Sequence, residues 1–394
     1  MRELRFFALF MVLVGGLWSC GGGGSAAPII PQATQQSNSS SASSTNTSST
    51  SNSSTGLGSI GTNAQEQLKL AEAIGKEVFS PSYKDFSEKS DVLKTTISSY
   101  CNEPTSDLSA IEAAWKASMT SWQSLQHIQF GPAEESNTRL KIDFYPDANN
   151  AVKNNTDQQL DGSNEISGTS IASAPVGAQG LPGLEYLIYG VGGLDDATEG
   201  SRRCDFAKAG SQNLSNLSDE LSSAWSSSGS FLADFINAGG VFNDGDDVLI
   251  SILESFANQA EMVSDRKLKD AILSGNREDL ESYRSLHSRQ NIQANLQALK
   301  DIFDDSDSST YRLKDYLERV HSASTINSQI KNEFDALDSA FDALGDKSLG
   351  DVVTGVVTGD LDSIRISFGN LADLAVDAAV ASDVNLGFNN QDGD

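Results

Sequence analysis

The spacing of apolar residues predicts an all-α fold for the folded part of this chain. From Ala64 onward, apolar side chains recur every three or four residues, which places them on one face of a helix. No segment shows the alternation of apolar and polar residues that is typical of a half-buried strand. Two of the stripes are Leu108, Ile111, Trp115, Met119 and Trp122, and Ile330, Phe334, Leu337, Phe341 and Leu344. We therefore predict a protein built from helix bundles.

Length and charge limit the classes of function. The chain has 394 residues and a net charge of −27, from 27 Lys and Arg against 54 Asp and Glu. This length predicts two domains, or one domain with tails. The acidic balance excludes a usual nucleic-acid binder, because a phosphate backbone requires a basic face. His127, His287 and His321 are far apart in sequence, which disfavours a His-rich zinc site.

Residues 1–19 are predicted to be a lipoprotein signal peptide. Two arginines precede the apolar run Phe6 to Trp18, which is too short to span a bilayer but fits a secretory signal. The run ends in Leu17-Trp18-Ser19-Cys20, which resembles the bacterial lipobox, so Cys20 is the expected lipidation site. The alternative is an ordinary signal peptide with a chance cysteine. No Asp follows Cys20, which favours the outer membrane. We expect the anchored chain to face the periplasm, although the sequence leaves the surface-facing alternative open.

The remaining organisation follows from composition. Residues 20–62 are rich in Ser, Thr and Asn and contain no charged residue, so we predict a disordered tether after the lipidated Cys20. Gly239-Gly240 marks a boundary between an N-terminal bundle, 63–238, and a C-terminal bundle, 239–394. The Asn-, Asp- and Gly-rich stretch from Gly131 to Gly180 is predicted to be a long irregular excursion.

Two cysteines follow Cys20 in this chain, Cys101 and Cys204. Because an exported protein meets an oxidising compartment, we predict a disulfide between them. The bond would close a loop of about 100 residues and stabilise the fold by about 4 kcal/mol in the chain-entropy model. The alternative is two free buried thiols.

Seven segments, in order, resemble the imelysin-like family of bacterial periplasmic proteins. They are Trp115–Gln123, Phe130–Pro132, Arg139–Asp147, Gly180–Gly190, Arg202–Cys204, Glu281–Ser288 and Leu386–Asp394. The resemblance implies an all-α fold of two tandem up-and-down helix-bundle halves with an interdomain cleft. It also implies a peptidase-like protein of the M75 type, or an exported protein associated with iron uptake.

The family's central motif is Gly-x-His-x-x-Glu, and this chain departs from it at one position. Gly180 and Glu185 match, but Pro182 stands where the family has His. On a helix, His and Glu three residues apart share a face and can reach one metal ion. Proline offers no ligand atom but suits the first turn of a helix. The departure disfavours zinc hydrolysis, because catalytic zinc needs three protein ligands and a water.

The resemblance leaves a set of polar residues at the expected cleft. They are Glu185, Arg139, Asp143, Glu281, Arg284, Ser285 and Ser288. One interpretation is a cluster of ion pairs and hydrogen bonds that only fixes the two bundles together. The other is a pocket in which Arg284 and Arg139 orient an anionic or metal-chelate ligand, while the two glutamates supply hard oxygens. The expected cofactor, if any, is a metal ion such as iron.

Other catalytic signatures are absent from the sequence. It contains no Gly-x-Ser-x-Gly, His-Glu-x-x-His, P-loop or Rossmann fingerprint. Ser264 and Lys267 match Ser-x-x-Lys, which we interpret as chance in so serine-rich a chain. Three hypotheses follow. The favoured one is a non-catalytic envelope lipoprotein that binds a metal complex or small ligand. The others are an imelysin-type metallopeptidase and a scaffold that docks an envelope protein partner.

Overall fold

The computed structural model describes residues 63–104, 107–190, 193–198, 200–304 and 310–387. All regular structure within these ranges is helical, which confirms the predicted all-α fold. The signal peptide, Cys20, the tether and the motif residues from Phe388 onward lie outside the described residues. Among the described helices, none combines the length and apolarity needed to cross a membrane.

The first part of the fold is organised around a long helical rod. Helix α1 continues through a π-helical segment, Gly75–Phe79, into α2, which packs between α3 and α8. The apolar stripe of α2 is buried, including Phe86, Leu93 and Ile97. The helices here are α1 (Asn63–Ile74), α2 (Ser80–Asn102), α3 (Ser109–Gln123), α4 (Thr138–Ile142), α5 (Ala151–Asp161), α6 (Gly168–Ala172), α7 (Gly180–Tyr189), α8 (Arg202–Ala224) and α9 (Ser230–Asn237).

The stretch between Gly131 and Gly180 is more regular than predicted. It contains α4, α5 and α6, and α5 runs for eleven residues, so the expectation of a wholly irregular excursion is wrong. Asn149 and Asn150 lead into α5 with positive φ angles, which asparagine tolerates better than most residues. The apolar face of α5 is narrow, with only Val152 among its buried apolar side chains, so its helical period is weak in the sequence.

The second part of the fold is a bundle in which α16 packs against both α10 and α14. Asp244 begins α10, since its Oδ1 accepts the backbone N–H groups of Asp246 and Asp247. A second π-helical segment, Met262–Leu268, follows α10 directly. The helices are α10 (Gly245–Glu261), α11 (Lys269–Ser274), α12 (Ser288–Phe303), α13 (Leu313–His321), α14 (Ser324–Leu344), α15 (Leu349–Val353) and α16 (Asp362–Ala381).

The two parts share contacts and a core. Helix α1 packs against α10 and α13, and α3 packs against α12. One hydrophobic cluster includes buried side chains from both parts, such as Trp115 and Phe256. The division between 63–238 and 239–394 stays a prediction. The packing of α3 on α12 brings the two parts together where the candidate site lies.

Cys101 and Cys204 form a disulfide, as predicted, with their Cα atoms 5.4 Å apart. Cys101 lies in the last turn of α2 and Cys204 lies in the first turn of α8, so the bond joins two helices that already pack together. Both side chains are fully buried. The disulfide therefore reinforces the α2–α8 pair at one end.

Candidate functional site

A cavity of about 310 Å³ brings together most of the predicted site residues. Asp143, Glu185, Glu281 and Arg284 line it, together with Pro182. Its walls come from α7, from the segment after α4 and from the loop between α11 and α12. Among the described residues, the carboxylates that line it are Asp143, Asp147, Glu185, Asp270, Glu278, Asp279 and Glu281, and the cations are Arg266 and Arg284. The cavity is therefore strongly acidic.

The start of α7 explains why the motif begins with glycine. Gly180 has a φ of +62°, and a Cβ added there would lie 2.1 Å from the carbonyl oxygen of Ile142. Only glycine combines that backbone conformation with so close an approach. Pro182 is the third residue of α7, where its missing N–H removes no intrahelical hydrogen bond. Glu185 follows three residues later and is buried at the cavity wall.

Glu185 is held by a residue one hundred positions further along the chain. Its Oε1 accepts the backbone N–H of Ser285 at 2.9 Å and the Ser285 hydroxyl at 2.8 Å. Burial raises the pKa of Glu185, while the two Ser285 donors and the charge of Arg284 oppose that rise. The carboxylate is thus fixed in position at a place where ionisation is costly.

The loop that carries Ser285 is tightly wound. Ser282 and Leu286 have φ angles of 55° and 56°, in the left-handed region that side chains with a Cβ rarely adopt. The Ser288 hydroxyl donates to the carbonyl oxygen of Glu281 at 2.6 Å, closing the loop at the start of α12. Ser288 therefore shapes the loop and does not line the cavity. Strained backbone of this kind is concentrated at functional sites in proteins.

Asp143 and Glu281 form a buried pair of carboxyl groups. The side-chain amide of Gln126 donates to Asp143 Oδ2 and to Glu281 Oε1, each at 3.2 Å, and Trp122 Nε1 donates to Asp143 Oδ2 at 3.0 Å. Asp143 Oδ1 receives no hydrogen bond from any described residue. Burial, the charge of Glu281 and a hydrogen bond from protonated Asp143 to Glu281 together raise the pKa of Asp143 to about 8, although the charge of Lys267 and the Trp122 donor oppose the rise.

Lys267 is the buried cation that pairs with Glu281, and the sequence analysis did not predict this role. The ammonium group is 1% exposed and donates to Glu281 Oε2 at 2.9 Å, Asn295 Oδ1 at 2.8 Å and Gln123 Oε1 at 2.5 Å. These three bonds account for all three of its protons, and none goes to Ser264, so the Ser-x-x-Lys match is not a catalytic pair. The π-helical segment Met262–Leu268 turns Lys267 into the core.

One feature of the sequence points weakly to the hydrogen-bond network around Lys267 and Glu281. Asn291 and Asn295 stand four residues apart on α12, beside the apolar stripe, and both are fully buried. Asn291 donates to Glu281 Oε2 at 2.9 Å. Buried amides at helical spacing indicate a polar partner inside the core. They could have pointed to a buried charge, but not to Lys267 as its source.

The two predicted arginines have different positions. Arg139 does not line the cavity, because its Nε pairs with Glu134 Oε1 at 2.6 Å outside it. Helix α4 is only one turn long and buries Ile142, which directs Arg139 away, so its predicted place in the pocket is wrong. Arg284 lines the cavity, and its guanidinium lies 4.4 Å from the ring centre of Tyr283 and 5.4 Å from that of Tyr186. Within the described ranges it forms no ion pair.

Neither His127 nor His287 lines the cavity. Burial lowers the pKa of His127 to about 3, and that ring packs against Phe79. Burial and the charge of Lys116 lower the pKa of His287 to about 4, and His287 Nε2 lies 2.8 Å from the Thr120 hydroxyl. Among the described residues, no three His, Cys, Asp or Glu side chains are grouped to hold a metal ion.

Comparison with known proteins decides the family. The family model described as imelysin, peptidase M75, matches residues 79–367. This chain belongs to the imelysin family. No curated protein matches it. Gly180 and Glu185 stand at two positions of the motif described above, and Pro182 replaces its histidine, so these residues do not fit a resident metal pair.

Two solved structures share the fold of this chain. An imelysin-like protein from Psychrobacter arcticum matches with a TM-score of 0.67 at 17% identity, covering 84% of this chain and 100% of that chain. A protein from Parabacteroides distasonis, named provisionally as an iron-regulated protein A precursor, matches with a TM-score of 0.68 at 16% identity. That match covers 82% of this chain and 96% of the other. At this identity, the likeness establishes the fold alone.

Proposed function

We propose that this imelysin-family protein is a non-catalytic binding protein of the bacterial cell envelope. Its cavity takes a ligand that presents positive charge, and we infer that this ligand contains a metal ion, with iron as the preferred candidate. One observation supports this proposal most directly. Buried Glu185 lies beside the Asp143–Glu281 pair, in a cavity where carboxylates outnumber cations. Lys267 already compensates Glu281, and Asp143 is protonated below about pH 8, but Glu185 forms no ion pair among the described residues and four further carboxylates line the cavity. A buried carboxylate is costly without compensating charge, so a cation is the complementary ligand.

Pro182 is the reason for proposing binding without catalysis. A catalytic zinc site uses three protein ligands and keeps a fourth position for water. Pro182 contributes no ligand, and Glu185 Oε1 already accepts two hydrogen bonds from Ser285. An imelysin-type metallopeptidase is therefore disfavoured. A scaffold for an envelope protein is the remaining alternative, and it does not require the cavity to bind anything.

The iron assignment and the envelope location have separate support. The neighbour from Parabacteroides distasonis carries an iron-regulated name, which is our reason for choosing iron as the candidate metal of this chain. The lipobox-like sequence at Cys20 supports a lipid anchor, and the absence of Asp after Cys20 favours the outer membrane, where we propose that the chain faces the periplasm.

Calorimetric titration of the purified, metal-stripped full-length chain tests the proposal. The titrants are Fe(II) under anaerobic conditions, Zn(II), Cu(II) and Ca(II). We expect saturable binding of at least one ion, with affinity about tenfold or more weaker in Glu185→Gln. Glu134→Gln is the matched control, because Glu134 lies outside the cavity and pairs with Arg139. Absence of binding, or equal binding by the Glu185 variant, would overturn the proposal.

A further inference from the structure

Helix α16 carries apolar residues on two of its faces. Ile364 and Phe368 belong to the first face and are buried in the shared core. Ile366, Val376 and Val380 belong to the second face and are 48% to 65% exposed. We propose that this second face is a docking surface for a basic amphipathic helix of a partner protein. The surface is separate from the acidic cavity, because no described residue lines both.

The second face of α16 borders a groove of about 640 Å³. The opposite wall comes from α10 and the π-helical segment Met262–Leu268, and residues 384–387 also line the groove. The backbone N–H of Gly387 donates to Glu254 Oε1 at 2.8 Å, which holds residues 384–387 against α10. Ala257 and Ala379 also line the groove and are buried, so its floor is apolar. The fold thus forms a groove with apolar surface at its floor and along one edge.

The residues of α16 that line the groove include a set with the spacing at which two helices pair. Ile366, Gly369, Asp373, Val376 and Val380 follow one another at separations of three and four residues. Side chains at this spacing lie along one side of a helix, where a second helix packs in a coiled coil. From Ile366 to Val380 the helix rises about 21 Å, which is about four turns. A helix of similar length therefore fits along this face, with its own apolar side chains in the groove.

The charge around the groove is acidic. The carboxylates that line it are Glu254, Glu261, Asp265 and Asp373. Arg365 is the one cation among the described residues that line it, and Arg365 Nε already lies 3.1 Å from Asp362 Oδ1. Lys269 pairs with Asp265 at 3.5 Å, but both side chains are exposed, so that pair is weak. Lysines or arginines beside the apolar stripe of a partner helix would complement these carboxylates.

Two other occupants of the groove fit this charge poorly. A second copy of the chain would place one acidic groove against another, and each chain has a net charge of −27. Residues 388–394 follow the groove directly, but they contain two aspartates, no lysine or arginine and a single apolar residue, Phe388. They offer neither the positive charge nor the apolar stripe that the groove complements. A basic partner helix offers both.

Fluorescence anisotropy with two synthetic peptides, each about five helical turns long, tests this docking surface. The first peptide has leucines along one helical face and lysines on the other, and the second has glutamate in place of every lysine. We expect the purified full-length chain to bind the lysine peptide saturably, about tenfold or more tighter than the glutamate peptide. This difference should shrink as the ionic strength rises, because salt screens exposed charges.

Substitutions on α16 distinguish the groove from the rest of the acidic surface. Val376→Gln combined with Val380→Gln removes apolar surface from the groove, keeps the net charge and suits a helix. We expect this double variant to bind the lysine peptide about tenfold or more weakly. The matched control is Val92→Gln combined with Val241→Gln, two exposed valines outside the groove, and it should bind as the natural chain does.

A second pair of variants tests the charge of the groove. Asp373→Asn should weaken binding of the lysine peptide about threefold or more, because Asp373 lines the groove. Asp377→Asn removes the same charge one turn further along α16, outside the groove, and should have little effect. Equal effects of the two substitutions would show that the lysine peptide responds only to net charge, which would overturn the proposal.

The remaining outcomes distinguish the candidate occupants. If the double glutamine variant on α16 binds the lysine peptide as tightly as the natural chain, the proposal is wrong. Equal binding of the two peptides would exclude a basic partner. If sedimentation shows a dimer that this variant dissociates, a second copy occupies the groove instead. If deletion of residues 388–394 raises peptide affinity about tenfold, that segment is the occupant, and the proposal is again overturned.

Discussion

Ser285 donates two hydrogen bonds to one carboxylate oxygen of Glu185, Oε1. The backbone nitrogen of Ser285 lies 2.9 Å from this oxygen, and the hydroxyl oxygen lies 2.8 Å from it. Glu185 belongs to α7, and Ser285 belongs to the strained loop before α12. The contact therefore ties the motif helix to a distant part of the chain. The position of the Glu185 carboxylate depends on both elements, so a change in either should alter the geometry of the cavity.

Removing the Ser285 hydroxyl should weaken this contact. We expect Ser285→Ala to lower the free energy of unfolding by about 1.5–3 kcal/mol, because a hydrogen bond to a carboxylate is lost in a buried site. Denaturant unfolding measures the change. The control is Ser328→Ala on the exposed face of α14, whose hydroxyl donates only to the preceding helical turn. Equal unfolding midpoints for the two variants would contradict the assigned role of Ser285.

Loss of Lys267 should be more damaging. Lys267→Met leaves Glu281 buried without its cation, and breaking a buried pair in this way costs about 3–5 kcal/mol. The matched control is Lys269→Met, two residues along, where the lysine is exposed and its ion pair with Asp265 is worth about 0–1 kcal/mol. Adding Glu281→Leu to Lys267→Met should recover part of the loss. Denaturant unfolding of the three variants measures these free energies. If Lys267→Met were no less stable than Lys269→Met, Lys267 would be a peripheral charge.

Asp143 predicts a specific pH dependence. Its pKa is about 8 in the folded protein and near 4 in an unfolded chain, so the folded state binds one more proton between these values. Stability from this group is greatest below pH 4 and is lost as pH rises toward 8, by at most about 1.4 kcal/mol per pH unit.

Asp143→Asn removes that titration while preserving the shape of the side chain. The gain in unfolding free energy of the variant over the natural chain should therefore grow from pH 5 to pH 8. Denaturant unfolding at pH 5, 6.5 and 8 measures it, with exposed Asp270→Asn as control. A difference that stays constant across these pH values would show that Asp143 is already ionised in the folded protein.

Completing the family motif should raise the affinity of the chain for Zn(II). Pro182→His would place a histidine three residues before Glu185, on the helix face that lines the cavity. We expect Zn(II) affinity to rise about tenfold or more by calorimetry, because an added imidazole is a strong zinc ligand. Pro182→Ala separates this effect from loss of the proline ring. Similar Zn(II) affinities for the two variants would mean that position 182 does not face the ligand.

The helices could be predicted from the sequence because the side chains of their apolar stripes are buried in a shared core. Leu108, just before α3, and Trp115, within α3, are two examples. Glu185, Glu281, Arg284 and Asp143, which the resemblance placed at an expected cleft, line one cavity in the structure, and their role as ligand residues stays a prediction. Lys267 could not be predicted, because a π-helical segment shifts the helical period and turns a charged residue into the core. Arg139 was misplaced because tertiary packing of a single-turn helix sets its direction.

The central claim is that a cation-bearing ligand occupies the cavity beside Glu185. Anomalous X-ray diffraction at the iron edge, from crystals of the protein grown with iron, locates the metal directly. The account predicts one dominant anomalous peak inside the cavity, beside the Glu185 carboxylate. A cavity without a peak, with iron only on outer surfaces such as the Arg139–Glu134 pair, would contradict it.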